Sequence, residues 1–293
     1  MKVLCFGSLN LDHIYHVRDF VRPGETRGAL SVETRCGGKG FNQAAAAARA
    51  GLSVSMAGCI GPDGGIFLDK CREESIDTAD LLSVDLPTGS TVIQVNGAGE
   101  NCILLYGGAN RAVSPAQIDA ALASMGEGDV LMLQNEINGL EYLTQRAFQR
   151  GIRIALNPSP MDEQITASML KRVSWLFVNE VEAAQLCGCD DVQECLERLG
   201  RYCPGGSVIL TLGSKGSYCR EANEEIWYQP AFSVRAVDTT AAGDTFTGYF
   251  LAGVLSGGCP GAALRLGSRA AALAVTRQGA FDSIPRRAEL ESV

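Results

Sequence analysis

The run Val208-Ile209-Leu210-Thr211-Leu212, like Val130-Leu131-Met132-Leu133 upstream of it, is continuously apolar rather than alternating. A strand with one wet face alternates; one that does not belongs to a sheet covered on both sides, as parallel sheets between two helix layers are. Outward from these runs, short apolar stretches at 2–7, 53–58, 129–134, 152–156, 173–178 and 207–212 alternate with segments of helical period. The latter occupy 41–50, 64–75, 115–124, 138–150, 180–187, 191–203, 243–256 and 260–276, each near a Gly, Pro or small polar boundary. The alternation predicts an α/β fold with a mostly parallel central sheet flanked by helices on both faces.

Two stretches break that rhythm, 11–35 and 88–107. In the second, Ser90-Thr91-Val92-Ile93-Gln94-Val95 and Cys102-Ile103-Leu104-Leu105-Tyr106 flank a turn at 96–101 and read as a hairpin. Both are expected to supply strands outside the main sheet, as a small β lid or a dimer surface, because a two-stranded unit needs something to cover it. No repeat, low-complexity segment or long linker interrupts the chain, so one domain over 1–293 is expected, with the lid strands inserted in it.

Composition removes several function classes. At 293 residues, 46% hydrophobic and 20% charged, the chain is too apolar for a disordered protein. Its 25 Lys and Arg against 33 Asp and Glu give a net charge of −8, which repels a polyanion and argues against nucleic acid as a partner. No apolar run approaches the roughly 20 residues of a membrane span, and the start lacks a signal-like apolar segment, so a cytoplasmic protein is expected. Eleven cysteines, an odd number without a CxxC pair, do not form a disulfide framework. Cys187, Cys189, Cys195 and Cys203 cluster loosely with no histidine nearby, and they read as reduced, mostly buried thiols. With only His13 and His16, neither a Ser-His-Asp triad nor an HExxH zinc site has its partners, and no P-loop or dinucleotide glycine motif follows a strand.

Three segments carry chemistry. Asp238-Thr239-Thr240-Ala241-Ala242-Gly243-Asp244-Thr245-Phe246 leads into an apolar helix, and small residues at a helix start let an anion approach free N–H groups. An Asp in such a first turn also has a purely structural reading. Cys36-Gly37-Gly38-Lys39-Gly40-Phe41-Asn42-Gln43 precedes an Ala-rich helix, its glycines allowing backbone to approach a ligand, and Lys39 is one of only five lysines. Gly7-Ser8-Leu9-Asn10-Leu11-Asp12 places Asn10 and Asp12 on one side of an extended segment, at the C-terminal end of the first strand, where open α/β sheets bind ligands.

Together these segments resemble the ribokinase group of the PfkB-type carbohydrate kinases, in order along essentially the whole chain. GGKGFNQA at 37–44 matches the family's N-terminal signature, and DTTAAGDTFTG at 238–248 its C-terminal one. Gln134-Asn135-Glu136, Leu156-Asn157-Pro158, Asn179-Glu180-Val181-Glu182 and Thr211-Leu212-Gly213-Ser214-Lys215-Gly216 fall where the family has further motifs. The resemblance implies that Asn10, Asp12, Gly38, Lys39, Asn42 and Glu136 hold sugar hydroxyls. Asp244 is then the base for the reacting hydroxyl, and the N–H groups of Ala241, Ala242, Gly243 and Asp244 form an anion hole. It also implies Thr211, Gly213, Gly216 and Ser268 at the nucleotide, and Asn179 with Glu182 at a Mg²⁺ ion through water, although Asn-x-x-Glu after a strand is equally a helix-capping pattern. The segment 274–283 resembles the family's monovalent-cation loop. Asp238, Thr240, Ala274, Arg277, Gly279 and Ser283 would hold K⁺ there, mostly through carbonyls; the alternative is that Gly279 merely ends the preceding helix.

Phe41 departs from the resemblance, standing where many members carry a small residue, and would shrink the sugar pocket if it pointed inward. Arg27, Arg35 and Arg111 are candidates to grip a phosphate on the acceptor, or else solvated surface. The expectation is an ATP-dependent kinase for the primary hydroxyl of a small sugar, most naturally D-ribose, with Mg²⁺ and K⁺ and a homodimer through the lid strands. The alternatives are another pentose or hexose, a nucleoside, or a silent sugar-binding regulator.

Overall fold

The computed structural model describes residues 1–292. The chain begins with β1 (Val3–Phe6), β2 (Asn10–His16), β3 (Ser31–Gly37), α1 (Lys39–Arg49), β4 (Val54–Ile60), α2 (Gly65–Glu73) and β5 (Asp77–Ser83). It continues through β6 (Gly89–Val95), β7 (Asn101–Tyr106), α3 (Pro115–Ala123), β8 (Val130–Gln134), α4 (Leu140–Gln149), β9 (Arg153–Asn157), α5 (Ala167–Leu170) and β10 (Trp175–Asn179). The last third holds α6 (Glu180–Cys187), α7 (Val192–Tyr202), β11 (Ser207–Thr211), β12 (Ser217–Arg220), β13 (Ile226–Gln229), α8 (Ala242–Leu255) and α9 (Pro260–Ala274).

Nine strands form the main sheet in the order β13-β12-β11-β10-β9-β8-β1-β4-β5, parallel from β11 to β5. The non-alternating strands are explained by two cores, one on each face. Val3, Cys5, Val130, Met132, Phe177 and Ile209 point to the side covered by α1, α2, α8 and α9. Leu4, Phe6, Leu131, Leu133, Leu176, Val178, Val208 and Leu210 point to the side covered by α3 to α7. Three main-sheet strands have no counterpart among the expected runs. β5 is a half-exposed edge strand, Asp-Thr-Ala-Asp-Leu-Leu-Ser, and β12 and β13 add antiparallel at the other edge; β13 is half-exposed, and β12 is buried but short, with polar Ser217 and Arg220 at its ends.

The second sheet, β3-β2-β6-β7, gathers the two stretches that broke the rhythm. β6 and β7 pair antiparallel as the expected hairpin, its turn closed by Asn96 Oδ1, which accepts from Ala98 N and Glu100 N at 3.0 Å each. β2 joins β6 in parallel, so residues far apart in sequence share one sheet.

Helices α1 and α8 bring the two signatures together. Ala44 to Ala47 are fully buried, and a β-carbon on Gly248 would lie 2.5 Å from both Ala46 Cβ and Ala47 N. Nothing larger than hydrogen fits there. Gly248→Val is expected to cost about 1–3 kcal/mol through overpacking and to lower turnover by moving Asp244 away from α1. Urea unfolding followed by steady-state kinetics on the folded fraction checks both.

Candidate active site

The C-terminal ends of β8, β9, β10 and β11 face the start of α8. The chain enters that helix through Ala241 in the left-handed region, φ 57°, an alanine conformation that costs about 1–2 kcal/mol. The first N–H groups of α8 have no intrahelical acceptor. Ala242 N makes a long bond to Thr239 O, 3.3 Å.

Asp244, 6% exposed, is held from α1 by both oxygens. Asn42 Nδ2 donates to Oδ2 at 3.2 Å, and Gln43 Nε2 donates to Oδ1 at 2.9 Å. Gln43 is fixed in turn by Gln134 Nε2, which donates to its Oε1 at 2.7 Å. Asn42 Oδ1 is buried without a protein partner, an acceptor left for a ligand hydroxyl beside Asp244. Burial pulls the Lys39 ammonium down, but Asp244, Glu136 and Glu182 together hold it above the usual lysine value. Glu136 Oε2 accepts from Lys39 N at 3.0 Å and from the Ser8 hydroxyl.

The glycines around Lys39 serve the chain itself. A β-carbon on Gly40 would meet Ser8 N at 2.4 Å, and one on Gly38, φ 94°, would meet Asn10 N and Ser8 O at 2.9 Å. They let α1 start against the end of β1, a packing need that the motif alone does not show. Asn10 Oδ1 accepts from Asn110 Nδ2 at 2.7 Å. Asp12 Oδ1 accepts from Thr91 Oγ1 at 2.6 Å. Burial, with the Glu136 charge adding to it, pushes the Asp12 carboxyl up to about 6 against that hydrogen bond.

Two cavities share the wall formed by Asn179, Thr211, Thr239, Ala242, Gly243 and Phe246. The smaller, about 210 Å³, is polar and adds Lys39, Asn157, Glu182 and Asp244. Lys39 thus faces the start of α8 as well as the Glu136 side. The larger, about 520 Å³, is mostly apolar and includes Gly213, Gly216 and Ser268, whose hydroxyl lies 3.2 Å from that of Ser217. Asn179 and Glu182 do form a reciprocal capping box, Asn179 Oδ1 accepting from Glu182 N at 2.8 Å and Glu182 Oε2 accepting from Asn179 N at 3.0 Å. Capping uses one carboxylate oxygen of a side chain that also lines the smaller cavity.

The loop after α9 meets the start of the C-terminal signature directly. Asp238 Oδ2 accepts from Gly279 N at 2.9 Å, and Asp238 Oδ1 accepts from Thr240 N and Thr240 Oγ1. Burial pushes the Asp238 carboxyl up, but the Thr240 and Gly279 bonds hold it below the usual range. Ala274 O accepts from Arg277 N at 3.0 Å, and Ser283 Oγ donates to Ala280 O at 2.8 Å. Gly279 does not end the helix, which stops at Ala274; its φ of 89° belongs to the loop.

Residues 1–287 match the pfkB family carbohydrate kinases. The chain belongs to that family. The kinase is 37% identical over 292 residues to the ribokinase of Haemophilus influenzae, covering 97% of this chain and 95% of the relative. It superposes on the crystal structure of ribokinase from Thermotoga maritima with a TM-score of 0.89 at 34% identity, over 99% of this chain and 98% of the other. It superposes on Arabidopsis thaliana ribokinase complexed with ribose and ATP with a TM-score of 0.87 at 28% identity, over 99% and 97%.

The sequence does not single out Ser8, Gln43, Thr91 or Asn110 as site residues, although each bonds a side chain that it does, and Gln134 reaches Asp244 only through Gln43. Gln43 and Ser8 carried a signal, since both sit inside the motifs that flagged their neighbours; Asn110 carried none. Phe41 turns away from the site. It is fully buried between Phe67, ring centres 5.1 Å apart, and Phe281, stacked at 4.9 Å. The three arginines are engaged separately: Arg27 with Asp19 and Glu25, Arg35 with Glu33, and Arg111 with Ile137 O.

Two outcomes are expected of the kinase. KM for a polyhydroxy acceptor should fall as the pH rises through about 6, where Asp12 loses its proton and becomes an acceptor only; Asp12→Asn should flatten that limb of the pH profile. Phe41→Ala should destabilise by about 3–5 kcal/mol through the cavity left in the core without admitting larger sugars, as denaturation and an acceptor panel would show.

Proposed function

We propose that this kinase transfers the γ-phosphoryl of ATP to the primary hydroxyl of D-ribose, giving ribose 5-phosphate, with Asp244 as the base. The observation that carries this reading is the Asp244 carboxylate, oriented through both oxygens by Asn42 and Gln43 in the first turn of α8. A hydroxyl beside it gives up its proton to Asp244 as it attacks. The N–H groups at Ala241 to Asp244 and the Lys39 ammonium face the charge that grows on the phosphoryl oxygens. Phosphoryl transfer asks for alignment and charge stabilisation, and one helix start supplies both.

Asn10, Asp12, Gly38, Lys39, Asn42 and Glu136 favour an uncharged, hydroxyl-rich acceptor. They offer several acceptor oxygens, and the arginines that would grip a second phosphate are paired elsewhere. The ribokinases to which the chain is similar support ribose as that acceptor and ATP as the donor. The apolar cavity bordered by Thr211, Gly213, Gly216 and Ser268 suits a nucleoside base, and it opens onto the polar one where phosphates would lie. Glu182, 7% exposed in the wall of that polar cavity, and Asn179 are oxygen donors of the kind a hard divalent ion takes, and they would hold Mg²⁺ through water; the ion offsets phosphate charge when bound. Asp238 and Thr240, tied to the 274–283 loop through Gly279, offer an all-oxygen setting for K⁺ with Ala274, Arg277 and Ser283. Two features support wider assignments. Ile103, Leu104 and Tyr106 are exposed on the edge strand β7, which favours a homodimer through the second sheets. The eleven free thiols suit a reducing cytoplasm.

ADP release from MgATP with ribose, 2-deoxyribose, fructose and adenosine, each in K⁺ and in Na⁺, tests the reading. Ribose is expected to give the highest kcat/KM and K⁺ to raise the rate; a nucleoside outperforming ribose overturns the acceptor assignment. Asp244→Asn should lower kcat by about 10²–10⁴ while ribose binding measured by calorimetry persists. Near-normal turnover in that variant defeats the base assignment.

A further inference from the structure

Far from the reaction, the turn between α6 and α7 brings two thiols into contact. Cys189 follows the left-handed Gly188 that ends α6, and Cys195 lies one turn into α7. Their sulfurs are 3.5 Å apart. The Cys195 thiol also points at Cys189 O, 3.2 Å away, and Cys187 Sγ lies 3.7 Å from Cys195 O, so local bonds hold the three residues together. The two partners differ in access: Cys189 is partly exposed, while Cys195 is buried. Nothing at the active site uses either one. α6 puts about 12 Å of helix between them and Asn179.

We propose that Cys189 and Cys195 are a redox-active dithiol, oxidised reversibly to an intramolecular disulfide by low-molecular-weight disulfides of the glutathione class. In the first step the Cys189 sulfur, having lost its proton, attacks the small disulfide. A Cys189–S–S–R bond forms, and one RS⁻ leaves and takes up a proton. In the second, the Cys195 sulfur gives up its proton and attacks Cys189 Sγ, forming the Cys189–Cys195 bond and releasing the second thiol. Two protein S–H bonds are exchanged for one S–S bond, and two electrons reduce RSSR to two RSH. Burial pushes the Cys195 thiol up to about 12, which makes it the resolving partner rather than the entry point. Contact with Cys189 offsets that handicap, because the second step is intramolecular between touching atoms. Cys102 and Cys259 are exposed as well, but they sit on β7 and at the start of α9, where attack by the same reagent halts at the mixed disulfide.

The test equilibrates the full chain in buffers of varied oxidised-to-reduced glutathione ratio, traps free thiols by alkylation, and cleaves before Asp190 and Asp191. Peptides carrying Cys189 and Cys195 are expected to stay joined until a reductant is added, in a fraction that rises with the ratio. Cys187→Ser should leave the link in place, and Cys195→Ser should arrest Cys189 as its glutathione adduct. Free, alkylated Cys189 and Cys195 at every ratio, with adducts only at Cys102 and Cys259, overturn the proposal.

Discussion

Gly248 lets α8 settle onto α1 until its backbone lies against the β-carbon of Ala46 and the backbone N of Ala47, and the reach of two amide side chains then decides the chemistry. Asn42 and Gln43 are short, and they hold both oxygens of Asp244 only because the helices approach so closely. The same contact places Lys39, at the start of α1, against the polar cavity at the start of α8. Small residues at a helix crossing thus serve as part of the site, even though they touch no ligand.

The main sheet was legible where its strands are buried on both faces, because there every residue has to be apolar. Val130 to Leu133 and Val208 to Leu212 announced themselves, whereas β5 and β13 did not, since one side of each meets solvent, nor did β12, buried but short and carrying Ser217 and Arg220. Within the site, the two signatures located Asp244, Asn42 and Lys39, as motifs with unusual glycine content will. Asn110 and Thr91 escaped because each bonds a candidate side chain across a long sequence separation, and such contacts depend on tertiary geometry rather than on spacing. Gly38 and Gly40 also have a packing reason that the motif alone does not show, since they let the start of α1 lie against the chain that leaves β1, while Gly37 makes room for the Asp12 carboxylate. Asn179 and Glu182 show the reverse case, a capping box whose members also reach a cavity.

Phe41 explains itself through Phe281. The two rings stack, and on the other side of the Phe281 ring the Arg49 guanidinium lies 4.3 Å from its centre while donating to Phe281 O and Ile284 O. Arg49 also pairs with the buried Glu74 at 2.7 Å, and Glu74 takes a second bond from Arg286 at 3.0 Å, so removing Glu74 would leave the buried Arg49 charge without its carboxylate. One helix therefore carries Lys39, Asn42 and Gln43 at its front and, through Phe41 and Arg49, clamps the 274–283 loop along its side.

The second sheet is joined to the rest of the chain at four crossings, at 7–9, 37–38, 84–88 and 107–114. Three of them converge on Asn110, whose side chain bonds Leu9 N, Leu9 O and Asn10 Oδ1 and lies where a β-carbon on Gly89 would be. Gly108 presses on Pro87 O at the same place. In mechanical terms three of the four crossings are pinned by one buried side chain. Asp12, on β2, belongs to the second sheet, while Asp244, on α8, belongs to the main body. The spacing of these two carboxylates is therefore set by how Asn110 seats one sheet on the other.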